Sequence, residues 1–373
     1  MERELSTKGF VCASLSFALM GFTSTCWGAM LPWLAASHAL SISHSGLILG
    51  GFTLFTLVGT SIAQIFGLKK DLNWFIRRGI LISLIGFLGV VHLSNFHWII
   101  FAAGFAGFGY GATGISLLQL LTRSANASHV RMNIASTATG LGALAGPFTI
   151  SILGSQNIPL IITCAIGTSA IAAQILPGAN WRVERISLGN IKLKNKTNLA
   201  IVLVGIIFYS GIENSIGAWL PTLIKTNSGS IESGAMGSAL FYLFFSVGRF
   251  LGIGISNKVS AQKIVIFSII GTFFPFLVVI FTPNHSLLAL SISGLFLGPI
   301  FPNTSSWIAA KTPGFPLATT ALMLATMSGG LIFPSTIGFT LERFGVDFLI
   351  YALTPMLLIS ISCFAYSYSK WRD

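Results

Sequence analysis

Acidic residues are scarce: nine Asp and Glu in 373 positions, against 21 Lys and Arg. Charged residues of all kinds make up 8%, where a soluble domain carries about 25%, so a soluble globular chain is excluded. The four cysteines, Cys12, Cys26, Cys164 and Cys363, show no paired spacing. That implies neither a disulfide framework nor a metal cluster, and no metal site is expected. A Walker A sequence is missing. Gly107–Gly111 (GFGYG) lies in an apolar helical run with no strand after it, so it is not a dinucleotide loop. The chain is expected to need no cofactor and to be no enzyme.

What is abundant is apolar length. The chain is 53% hydrophobic, with a mean hydropathy of +0.83. Runs of about 20 apolar residues read as membrane-spanning helices. Such runs fall roughly at 9–34, 44–68, 79–94, 97–121, 134–153 and 157–177, then at 199–223, 235–256, 264–282, 285–310, 317–341 and 348–368. The expected fold class is an all-α membrane protein of twelve transmembrane helices. The first run lacks a clear small-residue cleavage site, so it reads as a retained helix and not as a signal peptide. Trp33 and Trp98, near helix ends, read as interface anchors.

A net charge of +12 invites a nucleic-acid reading, which the distribution of the charge removes. With the N-terminus in the cytoplasm and sides alternating at each helix, 18 Lys and Arg fall on the cytoplasmic side. Lys225 and Arg343 fall opposite, and Arg249 lies inside helix 8. This follows the positive-inside rule and places both termini in the cytoplasm. The basic charge is a topology signal, and no nucleic-acid partner is implied.

Residues 179–198, ANWRVERISLGNIKLKNKTN, form the longest polar stretch and divide six helices from six. The expected organisation is a bundle at 1–178, a basic cytoplasmic linker at 179–198 and a second bundle at 199–373. The halves repeat. Trp27–Leu34 (WGAMLPWL) matches Ile216–Leu223 (IGAWLPTL) at an offset of 189, and Ser45-Gly46 matches Ser233-Gly234 at 188. Gly107 and Gly111 match Gly294 and Gly298 at 187, as Pro147 matches Pro334. Parallel six-helix repeats imply a pseudo-two-fold axis along the membrane normal, with substrate near the midplane between the halves.

Of the nine acids, only Glu213 lies in the middle of a long apolar run, Leu199 to Leu223. A carboxylate at that depth costs several kcal/mol unless it is neutral, paired or facing water, so it is a functional-site candidate by default. Tyr209 precedes it by one helical turn, Gly217 follows by one, and Ser210 and Asn214 lie beside the stripe. In the repeat Glu213 corresponds to Ser24. The candidate role is ion coupling; the other reading is a structural carboxylate that never titrates. Arg249 is placed roughly 10 Å from the cytoplasmic end of helix 8. It can bind an anionic substrate or pair with a carboxylate, or snorkel within a packing element. The candidate substrate-binding residues are Thr23, Trp27, Tyr110, Gln119, Tyr209, Asn214, Tyr242, Arg249 and Asn303. An interhelical hydrogen bond is the competing role of each polar one.

Over essentially its whole length the sequence resembles the major facilitator superfamily. Tyr209–Thr222 (YSGIENSIGAWLPT), Gly248–Gly252 (GRFLG), Gly298–Asn303 (GPIFPN) and the run from Asn133 to Pro147 resemble the fucose permease-like branch. That resemblance implies a symporter for sugars or similar solutes, coupled to protons or sodium. Fucose permease carries acids on helices 1 and 4. Here helix 1 offers Thr23, Ser24 and Thr25, and helix 4 has no acid. In the superfamily's loop signatures after helices 2 and 8, Gln64 and Asn257 stand where aspartate is usual. Gly142-x3-Gly146-Pro147 in helix 5 resembles a motif of superfamily exporters, and small residues there also serve close packing.

The reading is a secondary active transporter of a small polar organic solute, proton-coupled through Glu213. Its partners are the solute, protons or sodium, and the bilayer of a bacterial cytoplasmic membrane, with the chain acting as a monomer. The alternatives are an exporter or antiporter of drug-like or siderophore-like molecules, and a non-transporting sensor. A sensor would be expected to carry a soluble signalling domain, and every loop here is short. A reporter fused after Asp373 should be active in its cytoplasmic form alone; activity only on the outside overturns the topology.

Overall fold

The computed structural model describes residues 4–66, 72–122, 124, 129–175, 196–256, 258–312 and 317–371. Among these, twelve helical spans are long and apolar enough to cross a membrane, and no strand is present. The protein is an all-α integral membrane protein. Helices 1 to 6 are Thr7–His38, Ile42–Phe66, Leu72–His92, Phe96–Thr122, His129–Leu153 and Ile158–Ile175. Helices 7 and 8 are Lys196–Ser228 and Ile231–Ser256. Helix 9 comes in two pieces, Ala261–Gly271 and Phe273–Phe281, and so does helix 10, Ser286–Leu297 and Ile300–Lys311. Helices 11 and 12 are Leu317–Phe344 and Leu349–Lys370. Most of the 179–198 linker, and Asn257 with it, lies outside the described residues; its last three residues open helix 7.

Helices 3 and 5 begin furthest ahead of their apolar runs, at Leu72 and His129. Helix 3 takes in Arg77 and Arg78, and helix 5 takes in Arg131. Hydropathy alone ends a span at the first charge, but long basic side chains lie along apolar surface and keep the head in polar surroundings. The Arg78 guanidinium sits 5.6 Å from the Trp74 ring centre. That of Arg131 sits 5.1 Å from the Phe10 ring and donates to the Leu5 carbonyl at 3.1 Å.

The chain forms two compact units, Met1–Arg185 and Ile186–Asp373. In the first, helix 1 packs on helices 5 and 6, helix 2 on helix 4, and helix 3 on helices 4 and 6. In the second, helix 7 packs on helices 11 and 12, helix 8 on helix 10, and helix 9 on helices 10 and 12. The second scheme is the first moved on by six helices.

Glycine is what lets these pairs come so close. A Cβ on Gly107 or Gly111 would strike the carbonyl oxygens of Phe52 or Thr56, and one on Gly59 that of Phe108. In the second unit Gly294, Gly298 and Gly248 meet the carbonyls of Phe241, Phe245 and Leu295. Each contact recurs with helix 2 advanced by 189 residues and helix 4 by 187. Gly142 on Ala18 likewise recurs as Gly329 on Ile207. The Gly142–Gly146 stripe is therefore a packing face against helix 1. Hydrocarbon supplies no hydrophobic drive between helices, so tight van der Waals contact of small residues holds them together. The turns repeat as well: Gly154 and Gly345, both at φ 89°, lead from helix 5 into 6 and from helix 11 into 12. Pro32, Pro221, Pro147 and Pro334 lie inside helices 1, 7, 5 and 11.

Alanine at Gly107 or Gly294 should therefore cost about 1–3 kcal/mol, the usual range for overpacking. Alanine at Gly167 or Gly254, where no atom lies within 4 Å of a new Cβ, should be neutral or mildly stabilising. Thermal unfolding of the four variants in detergent separates the pairs.

Candidate functional site

In the second unit the site is built on helix 7. Tyr209 and Glu213 are four residues apart and share one face. Tyr209 is fully buried, and its hydroxyl donates to the Leu297 carbonyl of helix 10 at 3.2 Å. The same hydroxyl accepts from the Phe301 N–H and hydrogen-bonds Glu213. Glu213 itself is partly buried and feels the positive charge of Arg249. From helix 8, Arg249 lies with its guanidinium carbon 4.4 Å from the Phe245 ring centre. Its Nε is buried and has no hydrogen-bond partner. Tyr242, one helix-8 face along, sets its hydroxyl against Gly217, one turn beyond Glu213. A carboxyl, a phenol and a guanidinium thus meet where helices 7, 8 and 10 pack.

The neighbouring side chains on helix 7 hold it to helix 11. Ser210 donates to the Thr326 carbonyl at 2.7 Å, and the Trp219 indole donates to the Pro334 carbonyl at 2.8 Å. Asn214 is exposed, and its amide donates to the Ser210 carbonyl at 2.8 Å and approaches Gly330. Asn303 is buried, donates to the Pro299 carbonyl at 2.8 Å and lies against Gly252.

In the first unit Trp27 and Tyr110 come together. Trp27 packs on Phe52 and Phe87, with centroids 5.0 and 5.7 Å away, and Phe52 lies 5.5 Å from Tyr110. The buried Trp27 Nε1 has no hydrogen-bond partner. The Tyr110 hydroxyl donates to the Met20 carbonyl at 3.4 Å and hydrogen-bonds Ser24. Thr23 is fully buried and returns its hydroxyl to the Leu19 and Met20 carbonyls of its own helix. Gln119 is partly buried further along helix 4, apart from the aromatic group.

Of the ten expected site residues, Glu213, Tyr209 and Arg249 are brought together, with Tyr242 beside them. Tyr209 and Thr23 expose no surface, and each hydroxyl is taken up inside its own unit. The sequence reading passed over Phe245, Leu297 and Phe301. Phe245 sits one turn before Arg249, a spacing that can be read from the sequence. The other two act through backbone atoms, which no side-chain motif reports.

No family model matches the chain. A search of characterised proteins finds the human sodium-dependent glucose transporter 1, 22% identical over 321 residues. That alignment takes in 82% of this chain and 60% of the relative, so the chain spans under two thirds of its length. Among solved structures, the nucleoside transporter NupG superposes with a TM-score of 0.77 at 11% identity, covering 98% of this chain and 99% of that one. A D-xylose-proton symporter gives 0.73 at 13%, covering 98% and 97%. The transporter FucP in its outward conformation gives 0.65 at 16%, covering 96% and 98%.

The chain has the major facilitator fold. These structural neighbours are transporters and not enzymes. The likeness covers nearly all of the chain at identities too low to carry residue roles, so the site rests on its own geometry. Trp219→Phe should cost more than the about 0.6 kcal/mol of an average interhelical hydrogen bond, since it also leaves a gap at a fully buried position. Thermal unfolding in detergent reads this loss directly.

Proposed function

We propose that the protein is a secondary active transporter that moves a small polar organic solute by alternating access, coupled to protons through Glu213. The observation that carries this reading is the Glu213 carboxyl held between the Tyr209 phenol and the Arg249 charge in an apolar helix. A group that is both held by partners and partly open can exchange a proton. Coupling then needs only a different proton affinity in the two states of the cycle. Sugar-like and nucleoside-like solutes are favoured, on the strength of what the similar proteins are named for. The Arg249 Nε, buried without a partner, favours a solute with an acceptor or a negative charge. It is also the feature that keeps an exporter of siderophore-like molecules as the second reading. Orientation follows from charge: both termini in the cytoplasm of a bacterial inner membrane, with 179–198 as the linker on that side.

The test is concentrative uptake in liposomes with an imposed proton gradient, screened over sugars, nucleosides and hydroxy acids. Glu213→Gln, which keeps size and hydrogen bonding but holds no titratable proton, should abolish accumulation while leaving downhill exchange. Accumulation by the variant equal to wild type moves coupling elsewhere, and dependence on sodium instead of pH assigns it to that ion.

A further inference from the structure

The Tyr209 hydroxyl has one proton and two acceptors for it. It donates to Leu297 at 3.2 Å and also hydrogen-bonds Glu213. Leu297 closes the first piece of helix 10, and Ile300 opens the second. Between them stand Gly298 and Pro299, with Pro302 just beyond. Neither proline has an N–H, so the helical ladder has no donor for the carbonyls of Leu295 and Gly298. Tyr209 reaches helix 10 at this weakened turn, touching the backbone on both sides of it through Leu297 and Phe301.

The first unit contains the same bridge with donor and acceptor exchanged. Met20 and Tyr209 are 189 apart, and Tyr110 and Leu297 are 187 apart, the offsets that relate these helices throughout. There the tyrosine stands on helix 4 and the carbonyl on helix 1, and Tyr110 donates to Met20 at 3.4 Å. The side chain that contacts that tyrosine is Ser24, which occupies the place of Glu213. A serine hydroxyl does not titrate in the working range; a carboxyl does. One bridge is fixed, and its counterpart ends on an ionisable group.

We propose that Tyr209 relays the protonation of Glu213 to the Gly298–Pro299 break of helix 10. This rests on the reading of Glu213 as the coupling group and adds the part that moves. With the carboxyl protonated, its O–H donates to the Tyr209 oxygen, and the phenol donates to Leu297. When that proton leaves to water, the phenol O–H, keeping its proton, turns to donate to the carboxylate. A hydrogen bond to an ionised acceptor is roughly twice as strong as a neutral one. The Leu297 carbonyl is then left without its donor in an apolar interior, which favours a changed geometry at the break. The charged and titratable groups facing this bridge are Arg249 and Tyr242 from helix 8. Helix 12 brings Cys363 only as far as Gly205, two turns before Glu213. Described charged residues of helices 10, 11 and 12 lie at their ends, at Lys311, Glu342, Arg343 and Lys370.

The experiment is hydrogen exchange by mass spectrometry on the full chain in detergent across a pH series, corrected for the intrinsic rate. In wild type, peptides spanning 293–305 should lose about tenfold in protection as pH rises, the effect of one buried hydrogen bond. Tyr209→Phe should show no such step. Tyr110→Phe should keep it. Glu213→Ser, which copies the first unit and spares Tyr209, should hold helix 10 protected at every pH; it also covers the case in which Tyr209→Phe does not fold. A step that persists in Tyr209→Phe and vanishes in Glu213→Ser removes the relay and leaves Glu213 as the coupling group. A step that persists in Glu213→Ser removes both, and a wild type without a step removes the relay.

Discussion

Hydrocarbon offers no hydrogen bonds, so every backbone polar group in the membrane must find its partner inside the protein. Everything distinctive in this chain follows from how that demand is met. Straight helices meet it by themselves. A helix broken by proline cannot, and helix 10 carries two prolines three residues apart. At that turn Tyr209 of helix 7 brings a hydroxyl that donates to the Leu297 carbonyl, which lies between the two carbonyls the prolines leave without ladder donors. A tyrosine body is apolar and its tip polar, which suits it to end in such a place. The phenol committed there also contacts one further side chain.

That other contact is Glu213. Its surroundings explain how an acid is tolerated at this depth: a phenol to hydrogen-bond it, a guanidinium to offset its charge, and a partly open side. Arg249 is settled in its turn by the Phe245 ring, since a guanidinium over an aromatic face keeps some of the stabilisation lost with water. The three groups depend on one another.

Much of the architecture was legible because the membrane enforces it. The twelve apolar runs became twelve spans, since only helices of that length satisfy themselves in lipid. The glycine offsets were legible as a repeat and reappear as the same backbone contacts in both units. Helix starts were less so: at Arg77 and Arg131 a charge ended the apolar run but not the helix. Within the site, Glu213, Tyr209 and Arg249 stood out by depth and spacing. What the sequence could not carry was the assignment of Tyr209 to a backbone carbonyl. Its one-turn spacing from Glu213 was visible, but an acceptor on a main chain 88 residues away leaves no mark of its own.

Several helix pairs meet through a glycine on one side and a main-chain oxygen on the other. Such a contact is blind to the side chain of the residue that supplies the oxygen. Phe52, Thr56, Ala18 and Ile207 all serve, though they share neither size nor chemistry. Selection on packing therefore falls on one partner of each pair and leaves the other free to drift. Two halves held in this way can lose nearly all recognisable kinship and still stack alike. Whole chains can likewise overlay at low identity, as this one does on NupG at 11%.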